Sequence, residues 1–373
     1  MQVDLEQLMR DVDIFSCIQC GKCTGGCPVS ITTALNVRFL IYEALVEMMS
    51  DPSHMEELWD CTCCFTCVER CPKDVRPADI IISLRSQLVE GGNIPPTIGD
   101  ALMGIFRRGN PLGFARADRA AWAEEFDIAS TEEPHEYLLF TCCSSAYDQQ
   151  AQRGTKALVQ VLEAAGVDFS YLATDETCCG NEVRRVGEVG LFEMLVEDGK
   201  PQLEETGVQR IVTTSPHCFN TFKNEYGLEG IEVLHYSQVI AQLLEEGKLT
   251  FSGETERKVT YHDPCFLGKQ NQVFDEPRAI LEAIPGVEFV EMDRIRERSL
   301  CCEGGGGRMW FEGTNTEERL AFQRVHEAAA TGADVLAVAC PFCLSMFEDA
   351  VKVQGLDEQL KVMDIMQLVV EAL

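Results

Sequence analysis

The feature that most constrains this chain is one cysteine spacing that occurs twice. Cys17-x2-Cys20-x2-Cys23-x3-Cys27-Pro28 returns as Cys61-x2-Cys64-x2-Cys67-x3-Cys71-Pro72. Three thiols on one short loop can wrap a single inorganic centre. The fourth must then come from elsewhere, and the proline after it stops the chain from closing back over the site. A disulfide framework suits small secreted domains, and the acidic, amphipathic start MQVDLEQLMRDVDIF does not read as a secretory leader. Structural zinc would need only C-x2-C pairs.

The run is the bacterial ferredoxin signature, in which the fourth cysteine ligates the other cluster of a pair. On that reading Cys17, Cys20, Cys23 and Cys71 hold one [4Fe–4S] cube, and Cys61, Cys64, Cys67 and Cys27 hold a second. Cys63 is extra to the pattern and is expected to be a small buried residue. Helical spacing is expected over 2–13 and 34–49, and again from Pro77 to the paired glycines Gly91 and Gly92. Two cysteine loops separated by helices resemble the helical ferredoxin domain, placed at 1–92. Residues 93–134, with Pro95, Pro96, Pro111 and Pro134, read as a linker with some helix.

Charge narrows the partners. With 61 acidic and 31 basic residues the formal charge is −30. That opposes nucleic acid and anionic membrane surfaces, and serves either solubility or docking on a basic face of a redox partner. No apolar run approaches the roughly 18–20 residues that span a bilayer, so membrane contact is expected only through a partner. So many unbridged thiols point to a reducing cytoplasm and to anaerobic or microaerobic life.

The remainder reads as an internal duplication. Cys143 pairs with Cys265, Cys178-Cys179 with Cys301-Cys302, and Cys218 with Cys343, at offsets of 122, 123 and 125 residues. In each half an apolar strand (137–141; 258–262) precedes the first cysteine and another (208–214; 334–339) delivers the last ones, with helical segments between. The expected architecture is α+β and multidomain: a helical ferredoxin-like domain, then two α/β lobes with largely parallel sheets at 135–250 and 251–373. Ligands gather at carboxyl ends of such strands, where Cys143, Cys265, Cys218 and Cys340 fall.

The second lobe reads Cys265-x35-Cys301-Cys302-x37-Cys340-x2-Cys343, five thiolates from three segments. Its flanks YHDPCFLGKQN, CCEGGGGRMW and ACPFCLSMF resemble the double-cysteine (CCG) domain of the heterodisulfide reductase family. In that family such a site can hold a noncubane [4Fe–4S] assembly that binds and cleaves a disulfide. Gly304, Gly305, Gly306 and Gly307 would let backbone amides approach cluster sulfurs. Glu303 replaces the usual glycine, either as a solvated loop residue or as a carboxylate that handles a proton or positions substrate. The first lobe departs further, because Ser215 stands where a cysteine is usual and Cys142 is added beside Cys143. Either Cys142 joins Cys143, Cys178, Cys179 and Cys218 as fifth ligand, or this lobe holds a four-thiolate cluster or a zinc ion. His217 and His262 flank cysteines and either hydrogen-bond a cluster sulfur, move a proton or satisfy local backbone. Asp263 is expected to hold the strand-to-loop turn.

The whole order resembles the catalytic iron–sulfur subunit of heterodisulfide reductase. The resemblance implies an oxidoreductase subunit that relays electrons through two cubes to the lobe clusters, where Cys265, Cys301, Cys302, Cys340 and Cys343 are the catalytic set for disulfide reduction. The alternative is a non-catalytic electron-transfer subunit. No dinucleotide fingerprint is present, so a flavoprotein, a ferredoxin or another redox subunit is the implied partner.

Overall fold

A computed structural model describes residues 12–46 and 56–373. Asn36 caps α1 (Val37–Leu45), its Oδ1 accepting from the Phe39 amide at 3.1 Å. Pro77 opens α2 (Pro77–Glu90), where a missing N–H costs nothing. The helix expected at 34–49 is therefore seen from Val37 to Leu45, and positions 47–49 lie outside the described residues. So do residues 2–11 of the expected first helix; Val12 and Asp13 form a turn.

The segment 93–134 is not a free span. It carries α3 (Pro96–Arg108) and a tight 3-10 stretch, Arg116–Ala123, that buries Arg119 and Trp122 against the following lobe. Ala129 bridges to Ser170 of that lobe's sheet.

The first lobe runs β1 (Tyr137–Phe140), α4 (Gln149–Ala164), β2 (Phe169–Tyr171), α5 (Val189–Glu205), β3 (Arg210–Thr213), α6 (Pro216–Asn224), β4 (Glu232–His235) and α7 (Tyr236–Glu245). The second runs β5 (Arg257–Tyr261), α8 (Asp275–Ala283), β6 (Val287–Phe289), α9 (Leu320–Ala329), β7 (Val335–Val338), α10 (Pro341–Val353), β8 (Lys361–Asp364) and α11 (Ile365–Glu371). Strand orders are β2-β1-β3-β4 and β6-β5-β7-β8, every pair parallel. Parallel strands must be covered on both faces, and β1 and β7 are apolar and buried along their whole length. The outer strands β2, β4, β6 and β8 are only three or four residues long and more polar. That is why sequence pattern picks out only the inner pair of each lobe.

Strand order reverses between β1 and β3, and between β5 and β7. A crevice therefore opens at their carboxyl ends; Cys142, Cys143, Cys218, Cys265, Cys340 and Cys343 follow those four strands, and the double cysteines follow β2 and β6.

The lobes pack as pseudo-equivalents. Helix α4 meets α11, and its counterpart α8 meets α7. Gly154 in α4 permits this approach, since a Cβ there would stand 2.8 Å from Asp364 Cβ. Beside it the Tyr236 hydroxyl donates to the Asp364 carboxylate at 3.0 Å.

Candidate iron–sulfur centres

The two ferredoxin-type loops exchange their fourth cysteines. Cys17, Cys20, Cys23 and Cys71 line one cavity at the outer end of the domain. Cys27, Cys61, Cys64 and Cys67 form a buried group further in. Burial and the neighbouring Cys64 thiol push Cys27 up to about 12. All cysteines are free thiols, so the donor set is the one an iron–sulfur cluster requires.

Cys63 is buried as expected, but its surroundings are polar. It adopts a left-handed φ of 50°, touches the Cys61 thiol and lies 3.6 Å from Nη1 of Arg85. Arg85, fully buried in α2, donates to the carbonyls of Leu58, Cys61, Arg185 and Gly306 at 2.6–3.0 Å. One guanidinium thus ties the ferredoxin loop to both lobes.

In the second lobe five thiols form a contact chain. Cys265 touches Cys301, Cys301 touches Cys302, Cys302 lies 3.3 Å from Cys343, and Cys343 meets Cys340. The chain continues into the ferredoxin domain: Cys301 Sγ touches the Cys64 thiol and sits 3.4 Å from Thr62 Oγ1. Lys269, buried, donates to Thr66 Oγ1 at 2.8 Å and to the Ser299 carbonyl at 2.7 Å, which holds its ammonium beside Cys64.

Both histidines face this lobe's thiols. His217 belongs to the first lobe, yet its ring lies between Phe266 and Phe342, each centroid 4.4 Å away, and it hydrogen-bonds Cys340. Its Nδ1 is 3.0 Å from Glu182 Oε1. Burial opposes a charge on His217, but the hydrogen bonds it donates to Cys340 and Glu182 outweigh it and raise the ring to about 10. His262 is the reverse case. Burial and Arg324 hold it neutral, and Arg324 Nε donates to its Nδ1 at 3.2 Å, leaving the proton on Nε2. Ligand atoms of His262, Cys302 and Cys343 lie within 4.8 Å of one another.

The glycine run has a second demand on it. A Cβ on Gly304 would stand 3.6 Å from Cys302 Sγ. The next two pack on the ferredoxin loop: at Gly306, with φ +67°, a Cβ would fall 2.5 Å from the Cys61 carbonyl. Gly307 faces Val186 and Ile98.

Glu303 is not solvated. It is buried at a left-handed φ of 73°, the conformation that explains a glycine there. Its carboxylate pairs with Arg308 at 2.8 Å, and Arg308 reaches Asp60 of the ferredoxin domain at 3.1 Å. Asp263 holds the turn, accepting both arms of Arg278 at 2.7 and 2.9 Å and the Arg296 amide at 2.8 Å.

In the first lobe Cys143, Cys178, Cys179, Cys218 and Cys142 are joined in that order by thiol contacts. Ser215 is used differently: its hydroxyl caps α6, accepting from the His217 amide at 3.3 Å. Cys142 has φ 64° and ψ 162°, a region nearly reserved for glycine. Its contact with Cys218 leads the effects that lower it to about 7. Arg119, from the segment that reads as a linker, lies 3.6 Å from Cys143 Sγ and pairs with buried Glu176.

Comparison with known proteins agrees with this geometry. A model of the 4Fe-4S dicluster domain matches residues 13–75, and a cysteine-rich domain (CCG) model matches 137–223 and 259–348. One subunit of the dihydromethanophenazine:CoB–CoM heterodisulfide reductase of Methanosarcina mazei is 31% identical, over 97% of this chain and 94% of that one. The chain belongs to the family of that heterodisulfide reductase subunit. The chain spans only about 60% of the length of other curated relatives, among them a probable iron-sulfur-binding oxidoreductase of Bacillus subtilis, 32% identical over 97% of this chain and 60% of that one. It is also 32% identical, over 97% of its length, to the EtfAB:quinone oxidoreductase of Syntrophomonas wolfei, but spans only 58% of that protein. Among solved structures, a hypothetical protein from Helicobacter pylori shares the fold at a TM-score of 0.58 and 12% identity, covering 98% of this chain and 72% of that one. No helix among the described residues is long and apolar enough to cross a membrane.

Proposed function

We propose that this protein delivers electrons from its ferredoxin-like domain to the five thiols of the second lobe, and that a disulfide is reduced there. One observation carries the reading: the Cys64 and Cys301 thiols touch, so the inner ferredoxin group adjoins the second lobe's double cysteine. Cys17, Cys20, Cys23 and Cys71 would hold one [4Fe–4S] cube, and Cys27, Cys61, Cys64 and Cys67 the other. Cys265, Cys301, Cys302, Cys340 and Cys343 would hold a third, noncubane cluster, and Cys142, Cys143, Cys178, Cys179 and Cys218 a fourth iron–sulfur cluster, with zinc as the competing occupant. When bound, such clusters supply one-electron transfer and a Lewis-acidic iron for sulfur.

The chain's own groups do the rest. Lys269 offsets negative charge where the ferredoxin domain meets the second lobe. His217 presents an N–H to Cys340, oriented by Glu182, and neutral His262 lies beside Cys302 and Cys343. The Phe266 and Phe342 rings keep water from the His217 side.

A second reading, electron transfer without a substrate of its own, is favoured by burial. Cys301, Cys302, Cys340 and Cys343 are at most 4% exposed, and Cys265 alone of the five is half-buried. Adding a thiol or disulfide to the oxidised, anaerobically purified protein decides between them. A changed EPR spectrum supports substrate binding; an unchanged spectrum with reversible reduction supports the transfer role.

A further inference from the structure

Among the described residues, the lining of the outer cysteine cavity carries charge opposite to that of the whole chain. The cavity that gathers Cys17, Cys20, Cys23 and Cys71 is lined by Lys22, Arg38 and Lys73, and by no carboxylate among the described residues. All three cations are exposed, as is Cys20. Ile18, in the same lining, is 61% exposed and Phe15 beside the loop 66%. Of the described acids, Asp13 and Asp74, close in sequence to the cysteine loops, are exposed but do not line the cavity.

Screening decides which charge a partner meets. At physiological ionic strength the Debye length is about 8 Å, so most of the −30 carried by the chain is silent at this face, while three cations around one cavity are not. We propose that this face docks a redox protein that presents carboxylates around its own electron-carrying group, with Ile18 and Phe15 forming the dry centre of the contact. Net charge alone points to a basic partner; the local charge reverses that. The inference rests on the reading that the four outer cysteines hold a cluster.

The test is the association rate of the anaerobically purified full chain with an acidic flavodoxin, followed by stopped-flow flavin fluorescence across ionic strength. The wild-type rate falls as salt rises, and the Lys22→Glu, Arg38→Glu, Lys73→Glu variant slows at least about tenfold. The Arg153→Glu, Lys352→Glu, Lys361→Glu variant, with the same change in net charge on a remote cleft, stays within about twofold of wild type. A wild-type rate that rises with salt, no association at any ionic strength, or equal slowing in both variants overturns the proposal. Visible absorbance of each sample reports bound iron independently: a colourless wild type contradicts the cluster reading itself, whereas a brown wild type with the wrong salt dependence contradicts only the docking face.

Discussion

Thr62 Oγ1 lies 3.4 Å from Cys301 Sγ, across 239 residues of sequence. The second ferredoxin-type loop and the second lobe's double cysteine therefore share one wall, and no equivalent contact reaches the first lobe's double cysteine among the described residues. Buried charged side chains hold that wall, and removing them has predictable consequences.

Arg85 is the tie between all three units, with its guanidinium out of water and four carbonyls as acceptors. Hydrogen bonds from a charged group are worth about 1.5–3 kcal/mol each. Arg85→Met is expected to cost at least about 3 kcal/mol, measured as a lower denaturant midpoint. Arg76→Met, at an exposed pair on the same helix's cap, is expected to stay within about 0.5 kcal/mol of wild type.

In the first lobe Cys142 joins the thiol group through Cys218, whereas Ser215 caps α6. Cys142→Ser is expected to remove that lobe's metal, lowering iron per chain by about four if the site holds a [4Fe–4S] cluster. Ser215→Ala is expected to leave iron content unchanged and to cost only a helix cap, about 0.5–2 kcal/mol. Iron and acid-labile sulfide assays, with zinc measured alongside, check both.

His217 donates to Cys340 from the opposite lobe. Hydrogen bonds to cluster thiolates raise reduction potential, so His217→Phe is expected to lower the second-lobe potential while leaving the first-lobe cluster at its wild-type value. Redox titration followed by EPR reads both at once. Rescue of the potential by His217→Gln, which restores an N–H, separates this role from ring packing.

Asp364 gives the lobe interface a pH dependence. Burial raises its carboxyl from 3.8 to about 7, and apart from Tyr236 no titratable side chain among the described residues lines the small cavity around it. A raised acid favours its protonated form in the fold, so its contribution is fully present below about pH 4 and fades as pH rises through about 7. Asp364→Asn keeps the cap on α11 and is expected to abolish this slope, with a stability gain above pH 7 of at most on the order of 4 kcal/mol. Thermal unfolding across pH 5–8 measures it.

Much of this is legible because cysteine spacing is chemistry written along the chain. The exchange of Cys27 and Cys71 between loops follows from C-x2-C-x2-C-x3-C-P, and the duplicated lobes follow from cysteine offsets and apolar strands. What sequence does not disclose is contact between distant segments. Arg119 in RADRAAW and Glu176 carry no local signal, because their role depends on Cys143 being folded against them. Arg85 leaves a trace, the one basic residue within the largely apolar segment ADIIISLRSQLVE. Lys269 stands inside the recognisable YHDPCFLGKQN segment, yet only Thr66 and Cys64 give it a purpose. The glycines 304–307 look like cluster chemistry alone in the sequence, and Glu303 reads as a solvated residue or a carboxylate for a proton or substrate, whereas the fold also uses this run to seat the ferredoxin loop.

Magnetic interaction between the inner ferredoxin group and the second lobe tests the central claim most directly. In the anaerobically reduced full chain, EPR is expected to show spin–spin splitting that disappears in Cys301→Ser while the signal of the outer Cys17, Cys20, Cys23 and Cys71 site persists. Uncoupled spectra in the wild type, or a Cys301→Ser spectrum identical to it, would contradict the account.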